Sequence, residues 1–262
     1  MNGLFLAKMS GSKNKLNKAK IDPATMKDPR VLNNLKLREL LLPKWTSLWE
    51  NQQEITISNR TTLLTWLYIL CEEFDLDPSV FPLTVSILDR YLCKEQGTKT
   101  TLQKIGAACV LIASKIRTVK PMSVAHLTYL SCECFTHSEL RDQEKSILEA
   151  LEWDVEAVLS TDFLIPVCHA LKIPEEFWPQ LFELTSITIC KALVQPNIAL
   201  LPPCLICAGG LLTTIETENT NYQTWTHYLE DLGCILNFST NTIRTAKDQV
   251  AEALATYNPE AI

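Results

Sequence analysis

The chain has 262 residues, 47% of them hydrophobic, with only seven glycines and 13 prolines; that content supports a substantial core, excludes wholesale disorder and favours helices over strands. No apolar run approaches the ~18 residues of a membrane span, the opening apolar stretch covers only residues 4–7, and glycine stands at position 3 rather than 2, all of which argue against a span, a signal-peptide core and N-myristoylation. The net charge of −6 divides into +5 over residues 1–30 and −11 over the remainder, and an acidic body lacks the clustered Lys and Arg that nucleic-acid phosphates require.

Residues 1–27 read as a basic, solvated arm, with nuclear import as the alternative reading of its lysines. Asp28-Pro29 is an N-cap followed by Pro at the first helical position, so a helix opens there and Pro43 is expected to stop it. An amphipathic helix is predicted over residues 58–74 through Leu63, Leu64, Leu67 and Leu70. Asp77-Pro78 repeats the cap signal and is expected to open a third helix ending before Gly97. Thr100 or Thr101 then opens a segment that is apolar on nearly all sides from Ile105 to Ala113, with Gly106, Ala107, Ala108 and Ala113 small enough for close helix approach. That segment reads as the hub of a helical domain. Further helices are predicted near residues 123–132 and 138–152, the second announced by the capping-box spacing Thr136 to Glu139. After Thr161 the pattern restarts, with helices expected near 162–171, 175–193, 203–216, 223–236 and 240–257. The third again holds a small apolar stretch, Cys207-Ala-Gly-Gly-Leu211, so the organisation points to a duplicated five-helix unit.

No phosphate-cradling Gly-rich loop, GxSxG elbow or HExxH motif is present. The one CxxC, Cys204 to Cys207, has no second CxxC and no HxxxH to complete a zinc site, and the ten cysteines read as small hydrophobes of a reducing compartment. An intracellular location follows, and the triplets Asn59-Arg-Thr61 and Asn237-Phe-Ser239 then carry no glycan. Two charges are out of place. Lys115 ends the apolar hub, and Glu144 is flanked by Leu140, Ile147 and Leu148. They read either as a partly buried ion pair or as a pair at the edge of a groove, donating to and accepting from a partner's backbone. Arg60 and Asp89 likewise interrupt apolar helix faces and read as a mutual buried salt bridge.

From Asp28 to about Leu254 the chain resembles a cyclin, and within cyclins the D-type, in the divergent form encoded by gammaherpesviruses. The resemblance is carried by Asp28-Pro-Arg-Val-Leu32, Trp66, Cys71-Glu-Glu73, Val80-Phe-Pro-Leu83, Leu88-Asp-Arg-Tyr-Leu92, Leu102-Gln103, Gly106-Ala107, Ala113-Ser-Lys115 and Leu151-Glu-Trp153, in order and at family spacing. It implies an all-α fold of two tandem five-helix cyclin boxes with an N-terminal helix. The expected division is a basic arm (1–27), the N-terminal helix and connector (28–57), an N-terminal box (58–157), a C-terminal box (158–257) and a tail (258–262).

By the same resemblance the chain is a non-catalytic activator of a host G1 cyclin-dependent kinase, of the four/six subclass, needing no cofactor or metal and acting in the host nucleus and cytoplasm. Lys115 and Glu144 would hydrogen-bond the kinase main chain beside its C-helix, Ile116, Leu148 and Trp153 would present apolar surface to that helix, and Arg60 and Asp89 would form the internal salt bridge of the first box. The substrate-docking patch departs from the family. Where many cyclins begin it Met-Arg-Ala-Ile-Leu, this chain reads Asn59-Arg-Thr-Thr-Leu63; Leu63, Trp66 and Gln103 remain, but Asn59 and Thr62 replace apolar residues and Ile69 replaces a glutamate. Weakened docking of Arg-x-Leu substrates and inhibitors is expected. Lys104 stands where most cyclins have Leu, Leu130-Ser-Cys-Glu-Cys134 misses the retinoblastoma-binding Leu-x-Cys-x-Glu motif at its last position, and no degradation-type tail follows the second box, which implies a cyclin acting with little restraint. Basal transcription factors use the same tandem boxes to bind DNA and the TATA-binding protein; the acidic body and the lack of an N-terminal zinc ribbon argue against that reading.

Overall fold

The computed structural model describes residues 27–42, 49, 52–217 and 225–259, and all regular structure among them is helical. Helix α1 (Pro29–Glu39) starts where the Asp28 carboxylate accepts the Arg30 N–H at 2.9 Å. It ends four residues before Pro43, which lies outside the described residues.

The first helical unit comprises α2 (Ile57–Glu73), α3 (Val80–Lys94), α4 (Leu102–Arg117), α5 (Val124–Leu130) and α6 (His137–Ala150). Helix α3 begins later than the Asp77-Pro78 signal implied. The Asp77 carboxylate is spent one turn earlier, accepting from Ser79 N at 2.9 Å and from Ser79 Oγ at 2.6 Å, so helical geometry starts only at Val80. The capping box of α6 forms as its spacing predicts, with Thr136 Oγ1 accepting the Glu139 N–H and Glu139 Oε2 accepting the Thr136 N–H at 2.7 Å. Helix α4 is the hub. Its residues from Ile105 to Ser114 are all buried, and it packs against α2, α3 and α6. Gly106 permits the α2 contact, since a Cβ there would stand 2.9 Å from Leu63 Cδ1.

The second unit comprises α7 (Leu164–Ala170), α8 (Trp178–Leu193), α9 (Pro196–Ala199), α10 (Pro203–Thr217), α11 (Tyr228–Leu236) and α12 (Thr240–Thr256). Its hub is α10, which packs against α8 and α12. Three of the expected helices here open as 3₁₀ turns (Ser160–Phe163, Glu175–Phe177 and Trp225–His227) before continuing as α7, α8 and α11. The single-turn helix α9 is additional to the expected five. Gln195 is extended and Pro196 then sets helical φ, which starts a turn that Pro202 and Pro203 do not allow to continue.

The two units share one continuous core, with α3 packed on α8 and α9 on α2. Arg60 couples them through polar contacts. Its guanidinium has no exposed surface, binds Asp89 from α3 in a two-point pair at 2.9 and 2.8 Å, and donates through Nη1 to the Val194 carbonyl at 3.1 Å. Val194 is the C-cap of α8, so a cation of the first unit satisfies the negative end of a second-unit helix. Helix α1 performs a similar service. Lys36 Nζ donates to Ile235 O near the C-terminus of α11 at 2.9 Å, and Glu39 Oε1 accepts the Cys204 N–H in the first turn of α10 at 2.7 Å.

Candidate partner-binding face

Lys115 and Glu144 come together at the open end of the hub. Lys115 lies in the last turn of α4 with its side chain 47% exposed, and Glu144 lies mid-α6 at 15%. Their Nζ and Oε1 atoms are 2.5 Å apart. The pair is therefore held on one side by packing and open on the other. An ammonium has three donors and a carboxylate about four acceptor sites, so both retain capacity after pairing.

Apolar groups flank the pair. Ile116, next to Lys115, is 39% exposed, Leu148 is half-buried one turn after Glu144, and Trp153 is 68% exposed beyond the end of α6. An indole left that open on a folded surface is a candidate anchor for another molecule. Its backbone is fixed, because Glu152 and Trp153 both adopt left-handed geometry (φ 56° and 63°) and the Trp153 N–H donates to Leu148 O at 2.8 Å. Two of the three apolar positions are thus tied by one hydrogen bond. Arg117, the last residue of α4, anchors the end of that helix instead: it pairs with Glu156 at 2.5 Å and Asp162 at 3.4 Å and donates to Ala157 O at 3.3 Å. Asp162 also accepts the Leu159 N–H, and burial pushes its carboxyl above the ordinary range. Val119, exposed in the α4–α5 connection, was not among the residues singled out from sequence because it lies in a loop outside any periodic pattern.

The residues expected from the resemblance to form a degenerate docking patch lie elsewhere, along α2 and the start of α4. Asn59 is occupied: its Oδ1 accepts from Thr56 N at 2.9 Å and its N–H donates to Thr56 Oγ1, closing a capping box at the start of α2. Thr62 is exposed and returns its hydroxyl to Ser58 O at 3.1 Å. Leu63 is buried against Gly106, while Trp66, Ile69 and Gln103 are half-buried. The ridge that remains carries polar groups at its outer end.

The described residues hold no cluster of three or more His, Cys, Asp or Glu able to bind a metal, and no helix long and apolar enough to cross a membrane. All ten cysteines are free. Cys204 and Cys207 are buried in α10, where loss of hydration raises both thiol pKa values, so the CxxC serves as core packing.

Two family descriptions divide the chain between them. The cyclin N-terminal domain matches residues 30–156, and the Herpesviridae viral cyclin family matches residues 157–262. A cyclin homolog of Saimiriine herpesvirus 2 (strain 11) is 75% identical over 254 residues, spanning 97% of this chain and all of that protein. The chain belongs to the herpesviral cyclins. The X-ray structure of a viral cyclin from herpesvirus saimiri aligns with a TM-score of 0.79 at 76% identity, covering 87% of this chain and all of that one. Human G1/S-specific cyclin-D3 is 30% identical over 234 residues, 89% of this chain and 80% of its own length, which places the cellular affinity of this cyclin with the D-type. The two helical units are accordingly tandem cyclin boxes.

Proposed function

We propose that this cyclin binds and allosterically activates a host G1 cyclin-dependent kinase of the four/six subclass, as a regulatory subunit in the host nucleus and cytoplasm. In the proposed division the basic arm covers 1–27, the N-terminal helix and connector 28–57, the kinase-binding box 58–157, the second box 158–257 and the tail 258–262. The observation that carries the reading is the half-open Lys115–Glu144 pair beside Ile116, Leu148 and Trp153. The pair fixes the register of the kinase main chain, and the apolar groups pack against its C-helix.

Activation on this reading is a population shift. A surface that fits only the inward C-helix, in which the kinase's glutamate reaches the ATP-positioning lysine, draws the kinase into that state. Moving an equilibrium from 1:99 to 99:1 needs about 5.5 kcal/mol of differential affinity. At about 25 cal/mol per Å², roughly 220 Å² of apolar surface buried only against the inward state would provide it. No catalytic group of the cyclin is required. The polar outer end of the α2 ridge supports weakened capture of Arg-x-Leu substrates and inhibitors, hence escape from inhibitor control.

The deciding experiment measures kinase co-purification and phosphorylation of a retinoblastoma fragment for the full chain and for Trp153→Ala with Ile116→Asp. Both positions are solvent-exposed, so the fold should survive. Association is expected to fall by about a hundredfold, in line with losing two interface anchors. Undiminished activation by a folded double variant would overturn the assignment of this face.

A further inference from the structure

The two boxes carry one ion pair written with opposite signs. Lys115 stands thirteen residues after the first residue of α4, and Glu216 stands thirteen after the first of α10. Glu144 and Lys247 each stand seven after the first residue of α6 and α12. Both pairs close at 2.5 Å. The burial asymmetry also repeats: the hub member is half-open in each box (Glu216 43% exposed) and the partner on the last helix is shielded (Lys247 7%).

The correspondence is one of position, not chance proximity. Thr136 and Ser239 cap α6 and α12 alike, each accepting the N–H three residues on. Leu140 and Ile147 match Ile243 and Val250, and all four are fully buried. Arg141, Glu149, Ala150 and Leu151 recur as Arg244, Glu252, Ala253 and Leu254 at the same offsets. The apolar flank, by contrast, is gone. Ile116, Leu148 and Trp153 correspond to Thr217, Ala251 and Thr256, and both threonine hydroxyls are returned to carbonyls of their own helices.

Either order of opposite charges staples a hub to its last helix, as the two boxes show, and the helix dipole favours lysine in the hub's last turn by only about 0.3–1 kcal/mol. An external reader discriminates more strongly. An ammonium only donates and a carboxylate only accepts. A partner main chain that sets a carbonyl over Lys115 and an N–H over Glu144 would, laid on the second box, set its carbonyl over Glu216 and its N–H over Lys247. Both contacts would then be like against like.

We infer that the order of this pair, lysine on the hub and glutamate on the last helix, is read by the kinase main chain and fixes the direction in which it docks on the first box, and that the second box, with the order inverted and the apolar flank gone, offers no equivalent site. The inference rests on the kinase-binding reading above and adds the element that makes the face single. The test uses the full chain with Lys115→Glu/Glu144→Lys, which inverts the first pair but keeps it, and Glu216→Lys/Lys247→Glu, which inverts the second. Kinase affinity, by calorimetric titration, is expected to fall about a hundredfold for the first with little change in melting temperature, and to be unchanged for the second.

First-box inversion that binds within about threefold of the parent would overturn the inference. Trp153→Ala is measured alongside: if it weakens binding while inversion does not, only the polarity inference fails, and if neither does, the kinase face itself is wrong. Should the inverted first box not fold, Lys115→Gln/Glu144→Gln decides. Uncharged amides are expected to lower affinity about tenfold, and undiminished affinity in that variant would again overturn it.

Discussion

Replacing Asp89 by Ala tests how the boxes are held together. The change removes both charge-assisted bonds to Arg60, at 2.9 and 2.8 Å, and leaves a guanidinium with no exposed surface facing only the carbonyls of Leu193 and Val194. Breaking one partner from a buried pair of this kind costs about 3–5 kcal/mol. For a chain of this size each kcal/mol shifts the melting temperature by about 2–4 °C, so a fall of about 6–20 °C is expected. Removing both charges with volume kept, as Arg60→Met with Asp89→Leu, should cost far less, because no charge is then stranded. The double variant also loses the cap on α8, so amide exchange in the last turn of α8 should quicken in it, whereas Asp89→Ala keeps Arg60 on those carbonyls. Thermal and urea denaturation of the three proteins provides the measurement. A single Asp89→Ala change costing less than about 1 kcal/mol would refute the claim that this pair is buried and uncompensated elsewhere.

Four other outcomes are expected. Gly209→Ala places a Cβ 2.8 Å from the Ala246 carbonyl oxygen, backbone that cannot swing aside, and should destabilise by about 1–3 kcal/mol; Gly106→Ala places one 2.9 Å from a methyl of buried Leu63 and should cost less in the same denaturation assay, because a side chain rather than backbone has to give. Iodoacetamide on the native protein should modify Cys132, Cys134 and Cys234 rapidly, while Cys71, Cys109, Cys168 (thiol pushed up to about 12), Cys190, Cys204 and Cys207 stay protected until unfolding, as peptide mass mapping would reveal. Lys36→Ala with Glu39→Ala removes the contacts of α1 with the ends of α11 and α10 and should free α1 to early proteolysis while the box cores keep their exchange protection. Hydrogen bonds from Thr136 hold the Glu139 carboxyl below its ordinary range; a lowered folded value adds stability above that range and loses it on acidification, so exchange in the first turn of α6, corrected for intrinsic rate, should rise as pH drops below about 4.

Much of the helical organisation is written in local chemistry. Asp28-Pro29 and the Thr136–Glu139 box mark real helix starts because a cap is satisfied by backbone within three residues of itself. The all-round apolar hub and its small residues were legible for a similar reason, since a helix surrounded by others has no polar face to show. Lys115, Glu144, Arg60 and Asp89 stood out as charges in apolar surroundings. Local pattern misleads at Asp77, whose carboxylate caps a turn rather than the helix, and at Asn59, whose Oδ1 and N–H are both taken up by Thr56 in the α2 capping box.

What the amino-acid order determined alone, then, is where helices begin, which faces are apolar and which charges are misplaced, because these depend on groups a turn apart. Tertiary structure decided who meets whom. The partners of Arg60 lie 29 and 134 residues away, Lys36 reaches across 199, and the inverted pair of the second box emerges only when α10 and α12 are packed and compared with α4 and α6. Such encounters are set by the summed packing of many side chains, and no single stretch of chain contains the information to name them.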